Sequence, residues 1–224
     1  MPETTWIIDE VTGALTVEGL SQSSLTTMTA EWLPNGVAVN CARPLTPVKS
    51  LPILPTAAEP SLRVHRIYHH SVVEGPGRRS VLQTAGCERR CPGCYVPETH
   101  DPKGGAVIGI AEIAARLLAD EGAPRDGITI LGGEPFLQPT GLLALLQLHK
   151  AQTQHVTLYT GFTLEELAQR EDARIQQILA LTDILIDGPF IKELADNAGE
   201  WRGSTNQRIL HQPAQYLSQT NRAA

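Results

Sequence analysis

The alternation of short β-branched segments with amphipathic segments, which begins near residue 65, constrains the fold more than any other feature of the sequence. Apolar runs that are bounded by glycine or polar residues are typical of buried strands. Four such runs cover residues 80–84, 128–131, 156–159 and 184–186. Strands that alternate with helices form a parallel sheet, because each parallel connection has room for a crossover helix. The pattern therefore predicts an α/β fold.

Amphipathic helices are predicted between these strands. Apolar residues recur at spacings of three and four along residues 110–118, 142–148 and 175–179. Thr163 is followed three residues later by Glu166, which is the pattern of a capping box and predicts the start of a further helix. At least one helix therefore separates each predicted strand from the next.

Glycine or polar residues follow each predicted parallel strand at once. These segments are Gly86-Cys87, Gly132-Gly133-Glu134-Pro135, Thr160-Gly161 and Asp187-Gly188. In complete or partial (β/α) barrels the carboxyl ends of the strands gather on one face, and that face carries the chemistry. We therefore expect a partial (β/α)6 TIM-like barrel with the four segments at one mouth.

Three of the four cysteines lie within eight residues, in the spacing Cys87-x3-Cys91-x2-Cys94. Thiols this close, in a chain without a secretory signal, favour metal ligation over disulfides. Cysteine thiolates are the usual protein ligands of iron–sulfur clusters, and three ligands leave one iron of a four-iron cluster open to a substrate or cofactor. The alternative is a structural zinc site that Cys41 or His100 completes. The spacing favours the cluster, because zinc sites more often use two separated ligand pairs.

The first 62 residues differ in texture from the rest and are predicted to form an irregular N-terminal extension. Segments 5–8 and 14–17 flank a connection that contains Gly13, which predicts a β-hairpin. Five prolines between residues 44 and 60 exclude a continuous helix or a central strand there. We therefore divide the chain into this extension (1–62), a barrel domain (63–213) and a C-terminal tail (214–224).

Composition excludes several classes of partner. The net charge is −6, and no run of five or more lysines or arginines offers the clustered positive charge that a nucleic-acid backbone requires. No apolar stretch has the length of a membrane span, and the N-terminal residues lack the basic and apolar regions of a signal peptide. We expect a cytoplasmic protein that acts on a protein or a small molecule, with no nucleic-acid or membrane partner.

Six motifs stand in order along residues 65–211. They are Gly75-Pro76-Gly77-Arg78, the three-cysteine segment with Tyr95, residues 132–135, Tyr159-Thr160-Gly161-Phe162, Asp187-Gly188-Pro189-Phe190 and residues 202–209. Together they resemble the radical S-adenosylmethionine (SAM) superfamily, and within it the activating proteins of glycyl radical enzymes, closest to those of anaerobic ribonucleotide reductases. One tetrapeptide would be a weak signal, whereas six in the order of the family are specific. The first 60 or so residues have no counterpart in the short activating proteins.

The resemblance implies where two cofactors bind. Cys87, Cys91 and Cys94 would hold one [4Fe–4S] cluster, whose fourth iron the amino and carboxylate groups of SAM would chelate. Glu134 would accept a hydrogen bond from the SAM ammonium, whereas the Asp187-Gly188 pair is also ordinary turn chemistry. Cofactors carry the hard chemistry in such enzymes, so no side chain is given a catalytic role. The residues that would contact SAM are Tyr95, Gly132, Gly133, Glu134, Pro135, Thr160 and Asp187.

The implied activity is that of a radical SAM oxidoreductase. Reductive cleavage of SAM would give a 5′-deoxyadenosyl radical, which would install a glycyl radical on a partner enzyme of the anaerobic ribonucleotide reductase type. A flavodoxin- or ferredoxin-type protein would donate the electron. Two alternatives remain open, namely a radical SAM enzyme that acts on another peptide or a small metabolite, and a non-catalytic zinc or iron–sulfur binding module. Anaerobic reconstitution and a test for 5′-deoxyadenosine decide on the binding module, and co-purification with a glycyl radical enzyme, or its absence, separates the two enzymes.

Overall fold

The structure is a computed structural model that describes residues 5–8, 15–18, 40–41, 59–119, 125–152 and 154–220. The chain divides into two compact units, over residues 1–56 and 57–224. The predicted domain boundaries, after residues 62 and 213, remain predictions. Every helix in the described part of the chain is too short or too polar to traverse a lipid bilayer.

The N-terminal unit contains the predicted hairpin strands. Strand β1 (Thr5–Ile8) pairs antiparallel with β2 (Leu15–Glu18), and Thr5 lies opposite Glu18. A short strand, β3 (Asn40–Cys41), pairs parallel with β2. The prediction of two paired strands is confirmed, while their connection and the proline-rich segment after residue 43 lie outside the described residues.

The described residues of the second unit form a seven-stranded sheet with five helices. The strand order is β10-β9-β8-β7-β5-β4-β6, and the neighbours among β5, β7, β8 and β9 are parallel while the other pairs are antiparallel. The elements are β4 (Ser61–Ser71), β5 (Arg79–Thr84), β6 (Ala106–Gly109), α1 (Ile110–Leu118), β7 (Gly127–Gly132), α2 (Pro139–Ala151), β8 (His155–Tyr159), α3 (Leu164–Ala168), α4 (Ala173–Ala180), β9 (Ile184–Asp187), β10 (Arg208–His211) and α5 (Ala214–Thr220).

The α/β class is confirmed, and all four predicted parallel strands are present as β5, β7, β8 and β9. A TIM-like barrel is not shown, because the sheet is open, with β10 at one edge and β6 at the other. Four strands of this sheet are mutually parallel, whereas the predicted (β/α)6 barrel has six. The reason is that β4 and β10 flank the parallel strands in antiparallel orientation, and an antiparallel neighbour ends the β/α alternation.

The helices cover one face of this sheet. Alternate residues of a strand point to opposite faces. Leu82, Ile130 and Leu158 belong to a buried apolar core with residues of the helices, such as Ile113 and Leu145. Burial of each such side chain stabilises the fold by about 1.5–3 kcal/mol. The alternate residues of the same strands therefore point to the opposite face of the sheet. That face does not pack against the helices of this core.

A buried arginine holds the amino ends of the parallel strands together. Arg79, the first residue of β5, is fully buried and donates to the hydroxyls of Thr129 and Thr157, each at 3.0 Å. It also donates to the Pro76 carbonyl at 3.2 Å and to the His155 carbonyl at 3.2 Å. Burial lowers the pKa of Arg79 to about 10, so the side chain stays charged near neutral pH. One side chain thus connects β5, β7 and β8 beneath the cavity described below.

His149 on α2 is a buried polar residue whose ring makes no hydrogen bond in the described part of the chain. Its ring is fully buried, and neither ring nitrogen has a hydrogen-bond partner among the described residues. Burial, and then the charge of Arg125, lowers the pKa of His149 to about 4. Leucine has a similar volume and no polar atoms, so we expect His149→Leu to raise the free energy of unfolding by about 1–2 kcal/mol. Thermal unfolding measures this, with the exposed His211→Leu as control.

The same histidine sets a pH dependence. Its folded pKa lies below the unfolded value of about 6.5, so the unfolded state binds a proton first as the pH falls. We expect His149 to add no pH dependence to the free energy of unfolding above about pH 6.5. Between pH 6.5 and about 4 it should lower this free energy progressively as the pH falls. The His149→Leu variant should lose less stability than wild type over that interval. An equal loss in both proteins would contradict the assignment.

Candidate functional site

A cavity of about 900 Å³ opens where the parallel strands end. Its lining combines the three-cysteine loop with the segments that follow β7 and β8, as the strand-end argument predicts. The volume lies near the top of the range of about 300–1,000 Å³ that is usual for small-molecule sites. Residues that line it include Cys87, Cys91, Cys94, Tyr95, Gly132, Gly133, Glu134, Thr160 and Gly161.

The cysteine loop leaves β5 directly. Cys87 donates its main-chain N–H to the His100 carbonyl at 3.3 Å, and Cys94 donates to the Cys91 carbonyl at 3.1 Å, which closes a turn. Gly93 has a φ of +73° in this turn, a conformation that glycine adopts without strain. All three thiols are free and partly exposed. Burial raises the pKa of the Cys87 thiol, so this thiolate forms readily only when a metal or another positive charge stabilises it.

The three thiols line one cavity without forming a site for one metal ion. Among the residues that the structure describes, no group of three or more histidine, cysteine, aspartate and glutamate side chains could hold such an ion. The closed zinc site that His100 would complete is therefore not formed there, and the side chain of Cys41 lies outside the description. In a four-iron cluster each cysteine binds its own iron, so the sulfurs need not meet at one point. Three free thiols around a shared cavity fit that group.

The glycine pair after β7 is required by the neighbouring strand. A Cβ on Gly132 would lie 2.6 Å from the Thr84 nitrogen, and one on Gly133 would lie 2.3 Å from the Gly86 carbonyl oxygen. Gly132 also has a φ of +106°. Gly133 and Glu134 donate their N–H groups to the carbonyls of Thr84 and Gly86, both at 2.8 Å. The close approach of this backbone is thus to the end of β5, which fixes the start of the cysteine loop against the segment after β7.

Glu134 ties two strand ends together from a fully buried position. Its carboxylate accepts from the N–H of Phe136 at 3.0 Å, from the N–H of Gly161 at 2.8 Å and from the hydroxyl of Thr160 at 3.0 and 3.1 Å. Burial raises its pKa to about 7, although these hydrogen bonds oppose the rise. Three donor groups thus hold the carboxylate from within the protein, and Glu134 also lines the cavity.

The other predicted SAM contacts differ in burial and in whether they line the cavity. Thr160 lines the cavity, and besides its bond to Glu134 its oxygen accepts from the Phe162 N–H at 3.1 Å. Pro135 is buried and begins a 3-10 turn, outside the residues that line the cavity. Tyr95 is 70% exposed, and its ring lies 4.9 Å from the ring of Phe190, which also lines the cavity.

Asp187 lies away from the cavity lining, although it ends the parallel strand β9. It is fully buried and accepts from the Leu164 N–H at 2.7 Å and from Arg208 Nε at 2.9 Å. Arg208 also donates to Glu165 at 2.7 Å and, through these bonds, lowers the pKa of Glu165 to about 2. This network fixes the start of α3 against β9 and β10. Arg208 stands inside a predicted motif, but the sequence held no sign of its partners.

Two lines of comparison complete the description of the site. The profile of a family described as "4Fe-4S single cluster domain" matches residues 73–210. The chain belongs to this family. The match starts in the loop before β5 and ends within β10, so it takes in the three cysteines of the loop and every candidate SAM contact. The single cluster of the family gives the three thiols an iron–sulfur cofactor to hold.

Several proteins are similar to this chain over most of their own length. The anaerobic ribonucleoside-triphosphate reductase-activating protein of Vibrio cholerae is 37% identical over 158 residues, which are 67% of this chain and 97% of that protein. The protein of the same name from Escherichia coli strain K12 is 33% identical over 157 residues, 67% of this chain and 99% of that protein. That of Enterobacteria phage T4 is 34% identical over 151 residues, 64% of this chain and 90% of that protein.

Proposed function

We propose that this chain is a radical SAM activating enzyme that generates a glycyl radical on an anaerobic ribonucleoside-triphosphate reductase. The observation that carries the proposal is the set of three free thiols on one cavity beside the Gly132-Gly133-Glu134 strand end. Membership of the 4Fe-4S family and the names of the relatives support it. The open sheet then corresponds to part of a TIM-like barrel, whose incomplete side leaves the cavity accessible to a large substrate.

We propose Cys87, Cys91 and Cys94 as the ligands of one [4Fe–4S] cluster, with SAM beside it. The reduced cluster would supply the electron that cleaves SAM into methionine and a 5′-deoxyadenosyl radical, which takes a hydrogen atom from a glycine of the partner. The chain itself supplies position and the exclusion of water. Glu134 lines the cavity, and its carboxylate suits the SAM ammonium, because a carboxylate binds a charged donor strongly.

The remaining residues have supporting tasks in this proposal. The exposed ring of Tyr95, placed against Phe190, offers an aromatic surface for the adenine. Thr160 orients Glu134, while Asp187 acts as a positioning residue through Arg208 and the start of α3. Gly132, Gly133 and Pro135 shape the strand end that carries Glu134. None of these side chains takes part in bond cleavage.

The proposal also covers the protein's partners and its location in the cell. A flavodoxin- or ferredoxin-type protein would donate the electron, and the reductase would be the macromolecular partner. Free thiols that bind a cluster need a reducing compartment, so we propose a cytoplasmic location. The net charge of −6 gives no reason to expect a nucleic-acid partner.

Anaerobic reconstitution tests this function. We expect about four irons and four sulfides per chain, since one cubane cluster binds the three cysteines. Reduction with dithionite in the presence of SAM should produce 5′-deoxyadenosine, and addition of the reductase should give a glycyl radical detectable by electron paramagnetic resonance. A colourless zinc protein without turnover would contradict the proposal. Production of 5′-deoxyadenosine with no radical on the reductase would instead favour another peptide or a small metabolite as substrate.

A further inference from the structure

We propose that the β4 side of the cavity is a separate subsite, in which Arg66 binds a carboxylate of the partner polypeptide and Val72 and Val73 pack against its apolar side chains. The inference rests on the proposed function and deepens it, because it names the surface that receives the partner and the chemistry that this surface selects. All three residues line the cavity, and none belongs to the predicted motifs.

Arg66 has a fixed orientation although it is exposed. Its Nε donates to Oε1 of Gln83 at 2.8 Å, and Gln83 is only 2% exposed, so a buried side chain holds the guanidinium. The guanidinium also lies 4.9 Å from the centre of the Tyr68 ring. In the part of the chain that the structure describes, Nη1 and Nη2 form no hydrogen bond or ion pair. Two donor groups of a pre-positioned guanidinium therefore remain available in the cavity.

The sheet order separates Arg66 from the proposed SAM contacts. Glu134 and Thr160 follow β7 and β8, which lie on one side of β5. Arg66 lies on β4, which is on the other side of β5. The cysteine loop leaves β5 itself, between the two sides. A molecule bound to Arg66 would thus lie on the β4 side of the cysteine loop, and the shared cavity extends from there to the residues proposed to hold SAM.

Hydrogen bonds fix the conformation of the loop after β4, so its valines are held in exposed positions. The carboxylate of Glu74 accepts from the hydroxyls of Tyr68, at 2.7 Å, and Ser71, and its carbonyl accepts from the Thr129 hydroxyl at 2.6 Å. Further along, Arg78 N–H donates to Asp126 at 2.7 Å. Val72 and Val73 are nevertheless each 68% exposed. Exposed apolar groups on a fixed scaffold are typical of surfaces that bind a partner.

The exposed apolar side chains concentrate around this cavity. Four large apolar side chains of the described residues are at least 60% exposed, and three of them, Val72, Val73 and Tyr95, line the cavity. A polypeptide that covers them would also exclude water from the radical. The unpaired charge of Arg66 then selects the sequence of that polypeptide, because a guanidinium pairs with a carboxylate through two parallel hydrogen bonds. In the described part of the chain no ion pair joins Arg66 to Glu74, whose carboxylate binds the hydroxyls of Tyr68 and Ser71.

Binding to purified anaerobic ribonucleoside-triphosphate reductase tests this subsite. With cluster-loaded full-length protein, we expect Arg66→Gln to raise the Kd for the reductase at least about tenfold, since truncating one member of a charge pair weakens an interface strongly. Arg66→Lys keeps the charge and should retain part of the affinity. Increasing salt should weaken wild-type binding more than binding of Arg66→Gln. Val72→Ser combined with Val73→Ser should also raise the Kd.

The matched control is Arg116→Gln, an exposed arginine on α1, on the opposite face of the sheet. Unchanged affinity and unchanged salt dependence in Arg66→Gln would overturn the proposal, as would the absence of any binding by wild type. A fall in 5′-deoxyadenosine production by Arg66→Gln without the reductase would place Arg66 in the SAM site and also overturn it. Wild-type protein that binds the reductase but leaves no glycyl radical would contradict the proposed function and not the contact. Thermal unfolding of each variant excludes loss of the fold.

Discussion

Alanine at Cys87, Cys91 or Cys94 is expected to remove the iron–sulfur cluster and, with it, all production of 5′-deoxyadenosine. The structure places the three thiols on one cavity, so each substitution deletes one of the ligands proposed for a four-iron cluster. Two protein ligands hold such a cluster poorly, because a second iron then lacks a cysteine ligand and is lost to solvent more readily. Iron content should fall from about four per chain to less than about one. Metal analysis and visible absorption after anaerobic reconstitution measure this.

Cys41→Ala is the matched control for these variants. Cys41 lies in β3 of the N-terminal unit, outside the cysteine loop and outside the residues that the family profile matches. The control should therefore keep its iron and its turnover. Loss of iron in Cys41→Ala, together with retention in one of the other three variants, would identify a different ligand set. Equal iron in all four variants would contradict the cluster assignment.

The parallel part of the fold was predictable because local patterns and tertiary packing agree there. The run at 184–186 is apolar at consecutive positions and the run at 128–131 is interrupted only by Thr129, as expected of strands that are buried on both faces. Thr163 and Glu166 form the predicted capping box, since both bonds of the box are made within one turn of chain. Such features depend on neighbours in sequence, which the reader of a sequence can see.

Strand β4 was not predicted, because its pattern depends on contacts distant in sequence. Register irregularities between Val64 and Arg66 and between Tyr68 and Ser71 interrupt its alternation of apolar and polar residues. Its polar side chains are partnered by β5 and by the following loop, through Gln83 and other residues. An eleven-residue strand with two bulges therefore resembles a polar loop in sequence. The open edge of the sheet follows from this strand and from β10.

The candidate site divides in the same way. The cysteine spacing and the glycine pair were visible because each lies within a few residues, and the structure brings both to one cavity. The sequence did not reveal the network that joins Asp187, Arg208 and Glu165, since its members are separated by more than 20 residues. A strand-end aspartate suggests a ligand contact equally well whether it lines a cavity or pairs with an arginine. The structure shows Asp187 bonded to Arg208 and to the Leu164 N–H, while its contact with SAM stays a prediction.

Substitution of Glu134 is expected to have the largest effect outside the cysteines. Glu134→Ala leaves the N–H groups of Phe136 and Gly161 and the hydroxyl of Thr160 without their acceptor in a fully buried site. Each buried donor without a partner costs about 1–3 kcal/mol, so we expect a loss of several kcal/mol in the free energy of unfolding. That is a large fraction of the 5–15 kcal/mol typical of a domain. Thermal and denaturant unfolding measure it, with the exposed Glu112→Ala as control.

Glu134→Gln separates the structural task of this carboxylate from its proposed contact with SAM. The amide has nearly the same shape but one acceptor oxygen, so it should keep the fold while one of the two main-chain N–H groups loses its partner. A hydrogen bond to a charged group contributes about 1.5–3 kcal/mol, so loss of the carboxylate should weaken SAM binding by about 10- to 100-fold. Equilibrium binding of SAM to the cluster-loaded variant measures this. If SAM binds the folded variant as tightly as wild type, Glu134 serves only to join the ends of β7 and β8, and another group must hold the ammonium.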